Sequence, residues 1–263
     1  YEKEVVETKY NITVKYVDDS TPAHTIKEPV ALDGQYASGD YTFTVGKDAK
    51  FLETITTDGG DKYIYAASDK TVSVTVSGEN AEITLVYTKD NWNATTGDET
   101  GGDGIADKYQ ALVKFESADE SKGTVSGTGI TQVFTFWDAT DGYQTSGTIT
   151  PTLNGVVTTA NEGYAFDIWT KNEDTAAVNP ESTINVAGGT TTTFKAHFEV
   201  DNLKDADKTA DPGDTDSTTG GDGIPDKYQA KVTYTVEGGT WSENRTNTVT
   251  QVYTTAEKAA NGD

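Results

Sequence analysis

The sequence predicts an all-β fold with minimal helix, organised as small tandem β domains joined by acidic linkers. Apolar and polar residues alternate with a period of two in residues 11–17, 71–76 and 82–87, a pattern typical of half-buried strands. Clusters of Gly, Asn and Asp separate these segments and favour tight turns. An internal repeat supports the tandem organisation.

The repeat places almost the same segment at two positions that are 119 residues apart. Residues 101–111 read Gly-Gly-Asp-Gly-Ile-Ala-Asp-Lys-Tyr-Gln-Ala, and residues 220–230 differ only by Pro225 in place of Ala106. This repeat sets the predicted boundaries. We predict a β domain at 1–89, an acidic linker at 90–107, a β domain at 108–200, a second acidic linker at 201–226, and the start of a further, truncated repeat at 227–263.

Composition excludes several classes of protein. The chain has 43 acidic and 20 basic residues and a formal charge of −23, which argues against nucleic-acid binding because phosphate recognition needs clustered Lys and Arg. No apolar run approaches the length needed for membrane insertion. Cysteine is absent, so there is no thiol nucleophile. Methionine is absent as well, and we expect the chain to be an excerpt of a longer secreted protein.

Two stretches resemble repeats of Gram-positive surface proteins. Residues 12–18, 32–34, 41–43 and 83–87 resemble the mucin-binding-protein (MucBP) type of repeat found in adhesins. Residues 161–169 and 191–198 resemble the Listeria–Bacteroides surface repeat, which is related to the internalin B-repeat; Ile168 stands where that family usually has Gly. Both resemblances imply small β-grasp-like or sandwich modules.

The repeated Gly-Asp-Gly-Ile-Pro-Asp-Lys-Tyr stretch resembles the calcium-binding turns of thrombospondin type 3 and dockerin-like modules. Calcium takes six to eight oxygen ligands around a sharp turn, so calcium is the candidate cofactor. The alternative is a solvated acidic spacer. The candidate ligands are the carboxylates of Asp98, Asp103, Asp107, Asp214, Asp216, Asp222 and Asp226, with the carbonyl groups of Ile105 and Ile224.

No motif indicates catalysis. The chain lacks a nucleophile elbow, a phosphate loop and a dinucleotide fingerprint, and its two histidines, His24 and His197, lie outside any zinc motif. Trp137 and Trp169 fall in strand patterns and are expected in the core. We therefore predict a protein that is not an enzyme.

The sequence as a whole predicts a fragment of an extracellular protein of the cell wall or cell surface. It leaves three functions open. The first is adhesion to host mucin or another extracellular glycoprotein, or a stalk that projects an adhesive head. The second is a purely structural spacer stiffened by calcium. The third is an accessory module of a secreted glycan-active enzyme.

Overall fold

The computed structural model describes residues 7–204, 219–239 and 248–254. Strands account for the regular structure of these ranges, apart from two short 3-10 helices at Asp107–Tyr109 and Asp226–Tyr228. The all-β prediction is therefore confirmed. Within the described ranges, no helix is long and apolar enough to cross a membrane.

Backbone contacts divide the chain into two compact units. The first unit comprises Tyr1–Leu112, Val133–Thr148 and Asn185–Thr190. The second unit comprises Val113–Gln132, Ile149–Ile184 and Thr191–Asp263.

The first unit opens with seven strands: β1 (Ile12–Asp18), β2 (Thr25–Ala31), β3 (Gly39–Thr44), β4 (Thr54–Thr56), β5 (Lys62–Tyr65), β6 (Thr71–Val76) and β7 (Ala81–Lys89). Five of them form a sheet of order β2-β1-β7-β5-β4, while β3 and β6 form a separate antiparallel ribbon. β1 and β7 are parallel, and the other pairs in the sheet are antiparallel. The first and last strands of this module therefore lie side by side.

Alternate side chains of β1 and β7 form the core of this sheet. Tyr16 and Tyr87 are almost completely buried, and their hydroxyls donate to the carbonyl oxygens of Lys50 and Leu52, each at 2.7 Å. Burial raises the pKa of both phenols. Each buried side chain of this size contributes about 1.5–3 kcal/mol. The two strands also bury Ile12, Val14, Ile83 and Leu85.

A four-stranded sheet of order β10-β8-β17-β15 follows, with three two-stranded ribbons, β11–β12, β13–β16 and β14–β9. The strands are β8 (Gln110–Ser117), β9 (Gly123–Ser126), β10 (Thr131–Thr135), β11 (Trp137–Asp138), β12 (Gly142–Tyr143), β13 (Ser146–Ile149), β14 (Val157–Ala160), β15 (Tyr164–Lys171), β16 (Ile184–Ala187) and β17 (Thr190–Val200).

The two tryptophans predicted for the core differ in their placement. Trp169 is 7% exposed and packs edge-on against Phe115 at 5.6 Å, which confirms the prediction. Trp137 is 63% exposed, so the prediction was wrong for it. The reason is the register of the chain after β10. Phe136 takes the buried position, and its ring approaches Gly147 so closely that a Cβ there would lie 2.3 Å away.

β15 contains a bulge at Asp167. Phe166 pairs with Phe198 and Ile168 with His197, which leaves Asp167 without an opposite residue on β17. A bulge of this kind redirects a side chain without ending the strand. The last two strands, β18 (Gln229–Thr235) and β19 (Thr248–Thr254), form an antiparallel ribbon. β18 begins 119 positions after β8.

Candidate functional site

The two repeated acidic segments form folded joints. We call residues 90–110 joint 1, and residues 201–204 with 219–229 joint 2. In joint 1, Asp90 is completely buried and its carboxylate accepts the backbone N–H of Asp103 at 3.0 Å and that of Gly104 at 3.2 Å. The first residue of the joint therefore holds the repeated Gly-Asp-Gly turn.

Asp107 holds the opposite end of joint 1. Its Oδ1 accepts the backbone N–H groups of Asn91 at 2.9 Å and Trp92 at 3.0 Å, and the residue is 6% exposed. The contacts of Asp90 and Asp107 are reciprocal, because Asp107 binds the two residues that follow Asp90, and Asp90 binds Asp103 and Gly104, shortly before Asp107. We call this pair the Asp clasp of joint 1.

Asp103 and Gln110 complete joint 1. Asp103 Oδ1 accepts the N–H of Ile105 at 2.9 Å, and Oδ2 accepts the N–H of Ala94 at 2.9 Å. The same Oδ2 accepts Gln110 Nε2 at 2.9 Å, and Gln110 is completely buried. The acidic residue in the middle of the repeat thus satisfies three donors.

Joint 2 repeats the arrangement. Asp201 accepts the N–H groups of Asp222 at 3.0 Å and Gly223 at 2.8 Å. Asp226 Oδ1 accepts those of Asn202 at 2.8 Å and Leu203 at 2.9 Å, so these two aspartates form the Asp clasp of joint 2. Asp222 accepts the N–H of Ile224 at 3.0 Å and Nε2 of Gln229 at 2.8 Å.

One member of each clasp, Asp90 or Asp201, was not among the residues predicted from the sequence. Asp90 and Asp201 do not share the 119-residue offset, because they precede their partners Asp103 and Asp222 by 13 and 21 positions. The signal that could have found them is local. Each aspartate follows the last strand of its module and precedes an Asn, in Asp90-Asn91 and Asp201-Asn202.

The glycine before Asp103 and the glycine before Asp222 permit the close approach of the two chain segments of each joint. Gly102 and Gly221 have φ values of +60° and +63°. A Cβ at Gly102 would lie 2.3 Å from the carbonyl oxygen of Asp90, and one at Gly221 would lie 2.6 Å from that of Asp201. Only glycine fits these positions.

Each joint also holds the module before it through the repeated Asp-Lys-Tyr. In joint 1, Lys108 Nζ lies 2.7 Å from Oδ2 of Asp19, which belongs to the preceding module. In joint 2, Asp167 accepts Lys227 Nζ at 2.5 Å and the hydroxyl of Tyr228 at 2.7 Å. The bulge of β15 supplies this carboxylate, whose side chain is only 2% exposed.

Burial of the clasp changes its acid–base properties. Burial raises the pKa of Asp90, and the N–H of Asp103 and the charge of Lys62, 3.9 Å away, offset only part of that rise. Burial likewise raises the pKa of Asp107 against its bonds from Trp92 and Asn91, and the charge of Asp90 adds to the rise. Two carboxylates in one small volume repel each other.

The residues proposed as calcium ligands have different surroundings. Asp103, Asp107, Asp222 and Asp226 lie in the joints, where their oxygens accept N–H groups; Ile105 and Ile224 each donate a backbone N–H. Asp98 is exposed and pairs with Asn93 through its backbone. Asp214 and Asp216 lie outside the described residues. Over those residues, no three His, Asp or Glu side chains are grouped so as to hold a metal ion.

Each joint contains one buried glutamine oxygen that accepts no hydrogen bond from the described residues. Among the described side chains, the buried polar atoms without a hydrogen-bond partner are Oε1 of Gln110 and Oε1 of Gln229. They occupy equivalent positions of the repeat. A buried acceptor without a donor costs about 1–3 kcal/mol, and a bound cation or water would remove that cost.

A Ser-His-Asp cluster in the loop after β1 has the wrong geometry for a catalytic triad. Ser20 Oγ lies 2.9 Å and Asp18 Oδ2 lies 3.3 Å from the same ring nitrogen, Nδ1 of His24. A triad uses opposite nitrogens of the imidazole. Burial raises the pKa of Asp18, but hydrogen bonds from His24 and Ser20 outweigh it and lower the pKa to about 2. The cluster stabilises a turn.

Comparison with known proteins adds no relative. No protein-family model matches the chain, and a search of curated proteins finds no significant match. Functional inference therefore depends on the joints and on the chemistry of single residues.

Proposed function

We propose that the chain is part of a non-enzymatic extracellular protein of the bacterial cell wall or cell surface. It serves in adhesion to host mucin or another glycoprotein, or as the stalk that projects an adhesive head. The observation that carries this proposal is the occurrence of the same Asp clasp in joints 1 and 2, with Asp90, Asp107 and Asp201 buried and Asp226 half-buried. A protein that presents repeated modules to its surroundings needs connections that keep their geometry.

The clasp supports this role because each of its aspartates accepts two backbone N–H groups from a segment distant along the chain. Acidic, Gly-rich segments of this composition are expected to be flexible when they bury nothing. Here the aspartates supply acceptors for backbone N–H groups that would otherwise be unsatisfied, and hydrogen bonds to a charged group are worth about 1.5–3 kcal/mol each. The carboxylates of each joint thus bind the backbone of the same joint and stabilise its fold.

The stiffness of joint 1 can be tested by distance measurement between spin labels. The native chain has no cysteine, so cysteines introduced at the exposed positions Thr84 and Ser146 label only those sites. We expect a narrow distance distribution that broadens in the Asp107→Ala background. A broad distribution in the parent chain would contradict the proposed role of the joints.

Adhesion is tested separately by binding the chain to immobilised mucin. The adhesin form of the proposal expects saturable binding, and the stalk form expects none. A structural spacer remains consistent with narrow distances and no mucin binding. Binding only when a neighbouring catalytic domain is fused to the chain would favour an accessory module of a glycan-active enzyme.

Calcium stiffening is the second candidate, and the unpartnered Oε1 atoms of Gln110 and Gln229 favour it. Gln110 would supply an oxygen in joint 1, as would Gln229 in joint 2. Bound calcium would neutralise buried negative charge there. We expect millimolar calcium, but not magnesium, to raise the melting temperature and slow proteolysis at the joints. Identical curves in calcium and in chelator would rule this candidate out.

A further inference from the structure

An exposed pair of aromatic rings projects from the ribbon β11–β12. Trp137 and Tyr143, which we call the aromatic corner, are 63% and 44% exposed. They are cross-strand partners, and their ring centroids lie 4.7 Å apart at an interplanar angle of 75°. The two rings therefore form nearly perpendicular walls in contact with solvent.

The ribbon holds the aromatic corner rigidly. Asp138 Oδ1 accepts the backbone N–H groups of Thr140 at 2.7 Å and Asp141 at 3.0 Å, which fixes the turn between the strands. Tyr143 stacks on Tyr109 with centroids 5.4 Å apart and planes at 20°. A surface that is already ordered loses less entropy when it binds a ligand.

Trp137 does not belong to the part of the sequence that the repeat conserves. The residues at 131–134 and 250–253 correspond at the 119-residue offset, and the same offset places Ala256 opposite Trp137. Another copy of this segment thus has a methyl group where this one has an indole. Exposed, well-ordered aromatic side chains are typical of binding surfaces.

The charge of the ribbon and of the whole chain favours a cationic ligand. Asp138 ends β11 and Asp141 lies in the turn before β12, and the chain carries a formal charge of −23. Lys108 already places its ammonium over the ring of Tyr109, 5.5 Å from the centroid. The same ammonium is paired with Asp19 Oδ2 at 2.7 Å, so a ring of this stack already has a cation beside it.

We propose that the aromatic corner binds Arg or Lys side chains of a basic segment in a partner protein. Trp is the strongest cation–π acceptor among the side chains, and Arg is the more frequent cation in such pairs. The acidic surface raises the local concentration of a basic segment. A second copy of this chain is a poor occupant because it carries the same negative charge.

The test uses a hexapeptide of alternating Arg and Gly, and the same peptide with citrulline, which keeps the shape of Arg without its charge. Binding is followed by the indole N–H resonance of Trp137 in the full chain, assigned by its loss in Trp137→Leu. We expect the Arg peptide to shift this resonance, the citrulline peptide to leave it unchanged, and added salt to weaken binding.

Substitutions distinguish binding to the rings of Trp137 and Tyr143 from general electrostatic attraction to the acidic surface. Cation–π contacts at exposed sites correspond to about a two- to fivefold change in affinity, and we expect a loss of this size in Trp137→Leu and in Tyr143→Leu. Tyr234→Leu, which removes another exposed tyrosine, is the matched control and should bind as the parent does. For the tryptophan variant, binding is measured by calorimetry.

Several results would overturn the proposal. These are equal binding of the Arg and citrulline peptides, an equal loss in Tyr234→Leu, or a shift of the Trp137 resonance by a neutral N-acetylglucosamine oligomer and not by the Arg peptide. The last result would make the corner a glycan site. The proposed role of the joints depends on none of these outcomes, because its readout is the distance across joint 1.

Discussion

The side chain of Asp107 is a buried carboxylate that accepts two backbone N–H groups. Deleting the carboxylate and neutralising it should therefore have different effects. Asp107→Ala leaves the N–H groups of Asn91 and Trp92 without an acceptor, at about 1–3 kcal/mol for each buried group. Asp107→Asn keeps an oxygen for both donors and removes a charge from a buried site.

We expect Asp107→Ala to lower the free energy of unfolding in urea by about 2 kcal/mol or more. Asp107→Asn should stay within about 1 kcal/mol of the parent at neutral pH. Equal destabilisation by the two variants would mean that the charge itself, and not the accepted N–H groups, stabilises joint 1.

The raised pKa values of Asp90 and Asp107 predict the pH dependence of joint 1. A carboxyl whose folded-state pKa is raised contributes stability that is complete below its unfolded value of about 3.9 and is lost as the pH rises through the folded-state pKa. The stability difference between the parent and Asp107→Asn should therefore change between pH 7 and pH 4, in favour of the parent at low pH. A constant difference in urea midpoints would contradict this.

Asp18 has the opposite dependence. Its pKa is lowered to about 2, so its contribution is present above about pH 3.9 and is lost only as the pH falls toward 2. Hydrogen exchange of the His24 amide should stay slow at pH 4 in the parent and be faster in Asp18→Ala. Equal exchange in the two chains would show that the turn does not need this carboxylate.

At the scale of elements, the alternation of apolar residues predicted the strands well. The segment around residues 11–17 became β1, with Ile12, Val14 and Tyr16 inside, because the side-chain period of a strand is fixed by its geometry. The alternation predicted the wrong position for Trp137, because the chain leaves the four-stranded sheet after β10 and Trp137 begins the ribbon β11–β12.

The joints were the least predictable elements. The sequence indicated where the repeat lies and which aspartates it contains, but not that Asp90 and Asp201 would be buried against them. That contact depends on how the end of one strand meets a turn 13 or 21 positions later. The partner of Asp167 was equally hidden, because the carboxylate at the bulge binds the ammonium of Lys227, 60 positions later in the chain.

Gly102 and Gly101 provide a controlled test of the turn in joint 1. Both have positive φ, at +60° and +97°, but a Cβ meets no atom within 4 Å at Gly101, whereas at Gly102 it meets the Asp90 backbone. We expect Gly101→Ala to cost about 1 kcal/mol from backbone strain. Gly102→Ala should cost clearly more and should open the joint to protease. Equal effects would mean that conformation alone explains both glycines.

The contact of Lys227 with Asp167 should matter more than an ordinary surface pair. Asp167 is 2% exposed at its side chain, while Glu82, the partner of Lys15, is 58% exposed. Lys227→Met leaves a buried carboxylate with one remaining donor, Tyr228. We expect it to destabilise by about 1–2 kcal/mol, because Lys227 itself is partly exposed, and Lys15→Met by less than about 1 kcal/mol. Similar losses in both variants would argue against the bulge as a docking device.

At the scale of the whole molecule, the same joint occurs in each of the two compact units. The described contacts of Asp107 and Asp226 share no residue. Effects of substitutions at distant sites without common partners usually add within about 0.5 kcal/mol. The double variant Asp107→Ala/Asp226→Ala should therefore lose the sum of the single losses. A smaller loss in calorimetry would indicate that the joints respond to each other.

The different spacing within the two clasps has a consequence for how such proteins change over generations. Asp90 lies 13 positions before the turn that it binds and Asp201 lies 21 positions before its own turn, so the same bonds form across connections of different length. Because each joint carries its own acceptors, we expect a module that is duplicated or lost together with its joint to keep these bonds.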